Sequence, residues 1–235
     1  MRMRVSVAGR RRLGGLVVVV AVLVAAVAAD GASAATLSVN SACYVFSSPK
    51  TPPTMVVTGS GYVPGDPVSI DSNVGFASAT VNADASGNIA VSTQAPLPPK
   101  VAAGAQPVVL TADDESINGS ITASVPLNVA FLYVFHGGAK KRPGLGAFRE
   151  KTNWAFSGFT PGKYIWGHYT IHGRQVAKVR FGKASGPCGA LKTKARLFPA
   201  TPHHRSYPVQ VDDSKRYSKH SSPKVSGRLA LTTVF

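Results

Sequence analysis

Carboxylates are scarce in this chain and nearly missing from its second half. Residues 131–235 hold three, Glu150, Asp212 and Asp213, against nineteen lysines and arginines. Glycosidase-type chemistry needs two carboxylates facing one bond, and Asp212 and Asp213 are sequence neighbours that point to opposite faces of a strand. Cysteine is just as sparse. Cys43 and Cys188 are the two in the chain, and without C-x-x-C clusters they cannot build a self-contained zinc site. A phosphate-cradling G-x-x-x-x-G-K-[ST] loop is missing too. Gly182-Lys183-Ala184-Ser185-Gly186 and Phe135-His136-Gly137-Gly138 have the outline of a nucleophile elbow and an oxyanion loop. The elbow requires Ser at its third position, ahead of a helix, and here that position is Ala184. No catalytic residue is assigned, no metal or other cofactor is expected, and a hydrolase is the remotest alternative.

Long apolar runs are also lacking, with one exception. Leu13 to Ala29 carries no charge, follows the basic residues Arg2, Arg4, Arg10, Arg11 and Arg12, and precedes Ala32-Ser33-Ala34. A basic start, an apolar centre and a small-x-small end make an export signal, expected to be a helix cleaved after Ala34. A retained anchor is the alternative, because about 17 apolar residues reach the short edge of the spanning range. Once the signal is removed, no stretch remains that is apolar enough to span a bilayer. The expected location is therefore extracellular or on the cell envelope.

What is there is charge, unevenly placed. Residues 35–130 carry a net −4 and residues 131–235 a net +16. Such asymmetry between halves argues for separate domains and for a polyanionic partner of the basic one.

Short runs of alternating or β-branched residues lie between turn signals throughout, and no helical period is sustained. Strands are expected at 36–39, 54–59, 67–71, 75–82, 88–93, 107–113 and 121–130, then at 131–135, 151–158, 164–172, 174–181, 191–197, 207–212 and 225–235. Asp84-Ala85-Ser86-Gly87-Asn88 is a tight turn expected to close a hairpin between its flanking strands. Seven strands per half is the immunoglobulin-like count. A repeat supports the division more directly: Ser60-Gly61-Tyr62-Val63-Pro64-Gly65 returns as Ser157-Gly158-Phe159-Thr160-Pro161-Gly162. Pro fixes φ, the next Gly takes the left-handed position of a type II turn, and the aromatic caps a core. The expected structural corners are thus Gly61, Tyr62, Pro64 and Gly65, and Gly158, Phe159, Pro161 and Gly162.

This Gly-aromatic-x-Pro-Gly corner, with Ala83 to Asn88, Gly186-Pro187-Cys188-Gly189 and Tyr207 to Asp212, resembles bacterial immunoglobulin-like modules of secreted and cell-surface proteins, actinobacterial ones in particular. The resemblance implies a fold and no activity. The expected architecture is all-β: a signal over 1–34, then two tandem immunoglobulin-like sandwiches, an acidic one over 35–130 and a strongly basic one over 131–235.

Each half holds one cysteine, and export to an oxidising compartment makes a bond chemically reasonable. Cys43 and Cys188 then either staple one half to the other, stay free, or bond between molecules, and the spacing leaves the choice open. All six histidines lie in the second half. On a strand, His168 and His172 would be about 13 Å apart, too far for one metal ion, and His203-His204 has no partners nearby. These six read as solvated imidazoles. Asp113-Asp114-Glu115 is the densest acidic run but lacks a calcium-loop pattern and reads as a charged hairpin tip.

The remaining feature is basic. Lys140, Lys141 and Arg142 form one run, while Lys178 and Arg180, and Lys192, Lys194 and Arg196, alternate along strands and so project from one face of each. These eight are the expected anion-binding surface, and the partner is an anionic cell-wall polymer or acidic lipid headgroups. Trp154, Phe156, Phe159, Tyr164 and Trp166 are expected in the second core. With no aromatics interleaved among the stripes, nucleic acid is disfavoured as a partner. The competing reading is a structural or adhesive spacer that offers its loops to a protein.

Overall fold

The computed structural model describes residues 34–74, 78–116, 119–137, 150–199 and 206–230. The expected signal and the Lys140-Lys141-Arg142 run lie outside them, as do His203 and His204. All regular structure described is β, in fifteen strands: β1 (Thr36–Val39), β2 (Cys43–Phe46), β3 (Thr54–Ser60), β4 (Pro67–Ser72), β5 (Ala79–Asn82), β6 (Ile89–Gln94), β7 (Gln106–Ser116), β8 (Gly119–Phe131), β9 (Tyr133–His136), β10 (Lys151–Ser157), β11 (Tyr164–Ile171), β12 (Arg174–Lys183), β13 (Leu191–Arg196), β14 (Ser206–Asp212) and β15 (Lys224–Ala230). Among the described residues no helix is long and apolar enough to cross a membrane.

The strands form two sandwiches built alike. In the first, β1-β3-β6 faces β2-β8-β7-β4-β5; in the second, β9-β10-β13 faces β12-β11-β14-β15. Alternation accounts for the facing. Met55 and Val57 of β3, Val68 and Ile70 of β4, and Val108 and Leu110 of β7 are spaced by two and are all buried in one cluster. Each fully buried aliphatic of this size contributes about 1.5–3 kcal/mol relative to exposure. The second cluster is aromatic. The Phe181 ring lies 4.6 Å from Trp154 and 4.8 Å from Phe156, and Phe156 lies 6.0 Å edge-on from Phe159. Leu132 alone separates β8 from β9.

The two corners close with the same turn bond. Asp66 N–H donates to Val63 O and Lys163 N–H to Thr160 O, both at 3.1 Å, closing turns whose third residues, Gly65 and Gly162, have φ of 86° and 82°. This is the left-handed position of a type II turn. Gly61 and Gly158 also have positive φ, Tyr62 and Phe159 are buried, and Pro64 and Pro161 hold the turns. Each corner is further held by a remote acid, Asp114 accepting from Val63 N–H at 2.8 Å and Asp213 from Thr160 N–H at 3.4 Å. Asp114 is therefore a buried cap, where the sequence suggested a charged tip.

Two points need correction. β2 was not foreseen; it pairs parallel with β8. Of the strand expected over 75–82, residues 75–77 lie outside the described residues and Ala79–Asn82 is strand. Asp84 to Asn88 is a tight turn, with Gly87 N–H donating to Asp84 O at 2.9 Å, but it closes no hairpin. β5 pairs with β4 and β6 with β3, so the turn carries the chain from one sheet to the other. Turn residues fix a local bend and leave open which sheet each arm joins.

Cys43 and Cys188 are bonded, with Cα atoms 5.4 Å apart, and so join the first strand of one sheet to the turn between β12 and β13. Around this bond Leu132 N–H donates to Phe46 O at 2.8 Å and Ser157 Oγ to Phe131 O at 2.8 Å.

Candidate functional site

The basic residues of the second sandwich lie on two different sheets. On β13, Lys192, Lys194 and Arg196 are exposed and stand opposite Ala155, Asn153 and Lys151 of β10. Lys151 and Arg196 thus form a directly opposed like-charge pair, which costs stability unless something screens it. Half-exposed Phe135 on β9 stands opposite Ala155 on the same outer face. On β12, Lys178 and Arg180 project from the outer face of the other sheet. β12 and β13 are edge strands of different sheets and contact each other along the side of the sandwich.

The β12 stripe is not purely basic. Tyr164 and Trp166 were expected in the core, yet Tyr164 is 47% exposed and Trp166 is half-buried. On β11 it is Ile165 and Tyr169 that turn inward, and Gly167 is pressed on the Phe181 ring. The outer parity then carries Tyr164 and Trp166. Lys178 Nζ lies 5.6 Å from the Trp166 ring centre and Arg180 Cζ 5.2 Å from that of Tyr164. Aromatics and cations are therefore interleaved here, contrary to the sequence reading. Such contacts contribute about 0.5–1 kcal/mol each at exposed positions.

Carboxylates do not balance these cations. Among the described residues none of Lys178, Arg180, Lys192, Lys194 or Arg196 makes an ion pair. Asp213 is engaged at the corner, and Asp212 is buried against His168.

His168 continues the Tyr164–Trp166 row, and here the structure overturns the expectation of a solvated imidazole. The ring is fully buried beneath the connection between β14 and β15. Its Nδ1 is 2.7 Å from Gln175 Oε1, and its Nε2 is 3.2 Å from Asp212 Oδ1 and 2.9 Å from Ser214 O. Protonation at both nitrogens satisfies all three oxygens. Asp212 in turn accepts from Ser214 N–H at 2.9 Å and from Gln210 Nε2 at 2.6 Å, and Gln210 Nε2 also reaches Ser218 O. Burial opposes charge at both groups. The hydrogen bonds prevail, with the His168 pKa raised and that of Asp212 lowered. The hydroxyl of the adjacent Ser214 turns away from the imidazole, Ser214 Oγ donating to Arg216 O. The arrangement ties the loop to the sheet and leaves no ring nitrogen free to act as a base.

A pH dependence follows. The groups facing His168 are Asp212 and Gln210 on β14, Gln175 and Lys178 on β12, and Tyr217 in the covering loop. With its folded pKa raised, His168 contributes stability in full below about pH 6.5 and loses it as pH climbs through the raised value. With its folded pKa lowered, Asp212 contributes above about pH 3.8 and loses that as pH falls through the lowered value. Thermal melts are expected to show lower stability at about pH 9 than at about pH 6, and His168→Gln to remove most of that difference. A wild-type melting temperature flat across this range excludes a charged His168.

His172 lies outside β11, in the exposed turn to β12, with φ of 47°. Among the described residues no three His, Cys, Asp or Glu side chains come together as a metal site.

No family model matches the sequence, and no curated protein matches it. Three solved structures of adhesion proteins are similar to it at low identity. The chain is 13% identical to a calcium-stabilised adhesin that helps an Antarctic bacterium bind ice, over 85% of this chain and 48% of that one, with a TM-score of 0.35. It is 15% identical to a tetra-tandem repeat from the extending region of a large adhesion protein, over 85% and 49%, with a TM-score of 0.30. It is 12% identical to part of a 1.5-MDa bacterial ice-binding adhesin, over 84% and 63%, with a TM-score of 0.32. The chain spans about half to under two thirds of each.

Proposed function

We propose that this is an exported, non-enzymatic protein of two immunoglobulin-like sandwiches, divided at residues 130–132, that associates with anionic cell-envelope polymers through its basic second sandwich. The observation that carries the reading is the want, among the described residues, of any carboxylate partner for the lysines and arginines of β12 and β13. Like charges held on one sheet face gain most from a polyanion that displaces their counterions. The attraction is a summed field and not a pocket, so it is screened within about 8 Å at physiological ionic strength.

Two measurements test it. Binding of the protein to purified cell walls is expected to fall steeply between about 50 mM and about 1 M salt. The triple reversal Lys192→Glu, Lys194→Glu, Arg196→Glu is expected to abolish most wall retention while leaving the melting temperature within a few degrees, because all three side chains are exposed. Binding indifferent to salt and to the reversal overturns the reading. It then favours a spacer that offers its loops to a protein, a role suited to two sandwiches stapled by the Cys43–Cys188 bond.

A further inference from the structure

The outer face of β11 and β12 has a composition that simple charge attraction does not require. Along β11 the outward residues are Tyr164 and Trp166, and along β12 they are Lys178 and Arg180. Tyr164 is 47% exposed, a large ring left in solvent on this sheet face. Cross-strand register sets Arg180 opposite Trp166 and Lys178 opposite His168, and each cation leans diagonally onto a ring. The order along the face is therefore aromatic, cation, aromatic, cation. Alternate residues on a strand stand roughly 7 Å apart, the scale of a single sugar residue. The far part of the face is closed, because the loop after β14 covers His168 and places Tyr217 on it. Tyr164, Trp166, Lys178 and Arg180 remain as a bounded strip.

We infer that this strip binds an acidic polysaccharide, with pyranose rings against Tyr164 and Trp166 and their acid groups against Lys178 and Arg180. The apolar C–H side of a pyranose suits the electron-rich face of an aromatic ring. The carboxylate or phosphate of an acidic sugar supplies the anion that none of the described residues gives Lys178 and Arg180. Single-stranded nucleic acid is bound by stacking successive bases along a run of rings, whereas this strip has two rings, one of them half-buried. The inference rests on the proposed association with anionic polymers and names the polymer's chemistry.

The test compares the full disulfide-bonded protein with Tyr164→Ala, with Tyr164→Ala/Trp166→Ala, and with Trp166→Phe. The probes are polygalacturonate, polyphosphate and oligothymidylate. The double variant is expected to bind polygalacturonate about tenfold more weakly, roughly the worth of one or two ring contacts, and polyphosphate within about twofold of the parent. Trp166→Phe, which keeps a ring, is expected to stay near the parent on both, and Tyr164→Ala to fall between. Should the double variant not fold, Tyr164→Ala alone decides, since its side chain is exposed. Equal losses on polygalacturonate and polyphosphate, or no loss on polygalacturonate, overturn the sugar inference and leave the proposed function standing. Failure of the parent to bind either acidic polymer overturns the proposed function itself. Tighter, ring-dependent binding of oligothymidylate than of polygalacturonate replaces the sugar with a nucleic acid and overturns the inference.

Discussion

Gly189→Ala is expected to lower stability by about 3 kcal/mol or more, while Gly186→Ala three residues earlier in the same turn costs about 1 kcal/mol. Both glycines have left-handed backbones, with φ of 55° at Gly189 and 68° at Gly186, so both substitutions carry the conformational penalty of a side chain at positive φ. They differ in what surrounds them. A Cβ on Gly189 would fall 1.6 Å from Phe159 O, while one on Gly186 meets nothing within 4 Å. The crowding atom is main chain in the corner that seats Phe159 in the core, and it cannot turn aside as a side chain would. Gly87 occupies the matching place in the first sandwich. Its φ is 73°, and an added Cβ would lie 2.3 Å from Tyr62 O. Urea denaturation of the three variants is expected to rank Gly189→Ala as most damaging, then Gly87→Ala, then Gly186→Ala. Equal losses at Gly186 and Gly189 would show that φ alone, and not the approach of turn to corner, fixes these residues.

That pairing of turns shows where sequence stops being readable. The corners at 60–65 and 157–162 share Gly, Pro and an aromatic at each key place, so they are visible as a repeat. Their partner turns, Asp84-Ala85-Ser86-Gly87 and Gly186-Pro187-Cys188-Gly189, share only the last glycine, because a tight turn constrains φ more than side-chain identity. Strand positions were legible for the same reason as the corners: alternation leaves a direct mark, and thirteen of the fifteen strands fall within a few residues of where alternation puts them. β2 is four residues between serine-rich stretches, too short to show a period. Which face turns inward was lost on β11, where Tyr164, Trp166, Ile165 and Tyr169 put large apolar groups on both parities. Only tertiary packing, with Ile165 and Tyr169 buried and Gly167 against Phe181, decides between them. The burial of His168 was beyond local reading altogether, since the loop that covers it lies more than forty residues further along the chain. The basic stripes were legible residue by residue. Their separation onto two sheets was not, because it depends on the crossing between β12 and β13.

Replacing Cys43 and Cys188 together by Ser is expected to cost about 3–5 kcal/mol and to change the shape of unfolding as well as its midpoint. The two residues are 145 positions apart, and a loop of that length loses roughly 5 kcal/mol of closure entropy when cross-linked in the unfolded chain. The bond also does something a loop within one sandwich could not. Cys43 opens β2, the strand that pairs with β8 just before the chain leaves the first sandwich, and Cys188 sits in the turn that packs beneath the second corner. Gly158 is pressed there between Val45 and Leu132, so an added Cβ would meet Val45 Cγ1 at 2.7 Å and Leu132 Cα at 2.8 Å. Neither β2 nor this corner can come apart fully while the bond holds its two ends together. Without it, the junction keeps Leu132 as connection, the hydrogen bonds Leu132 N–H to Phe46 O and Ser157 Oγ to Phe131 O, and the contact at Gly158. Scanning calorimetry of the oxidised protein is expected to give one coupled transition, and that of the double-serine variant two, because each sandwich has its own buried cluster and is free to melt at its own temperature. A single, unshifted transition in the variant would mean that the junction's packing, and not the disulfide, couples the two sandwiches.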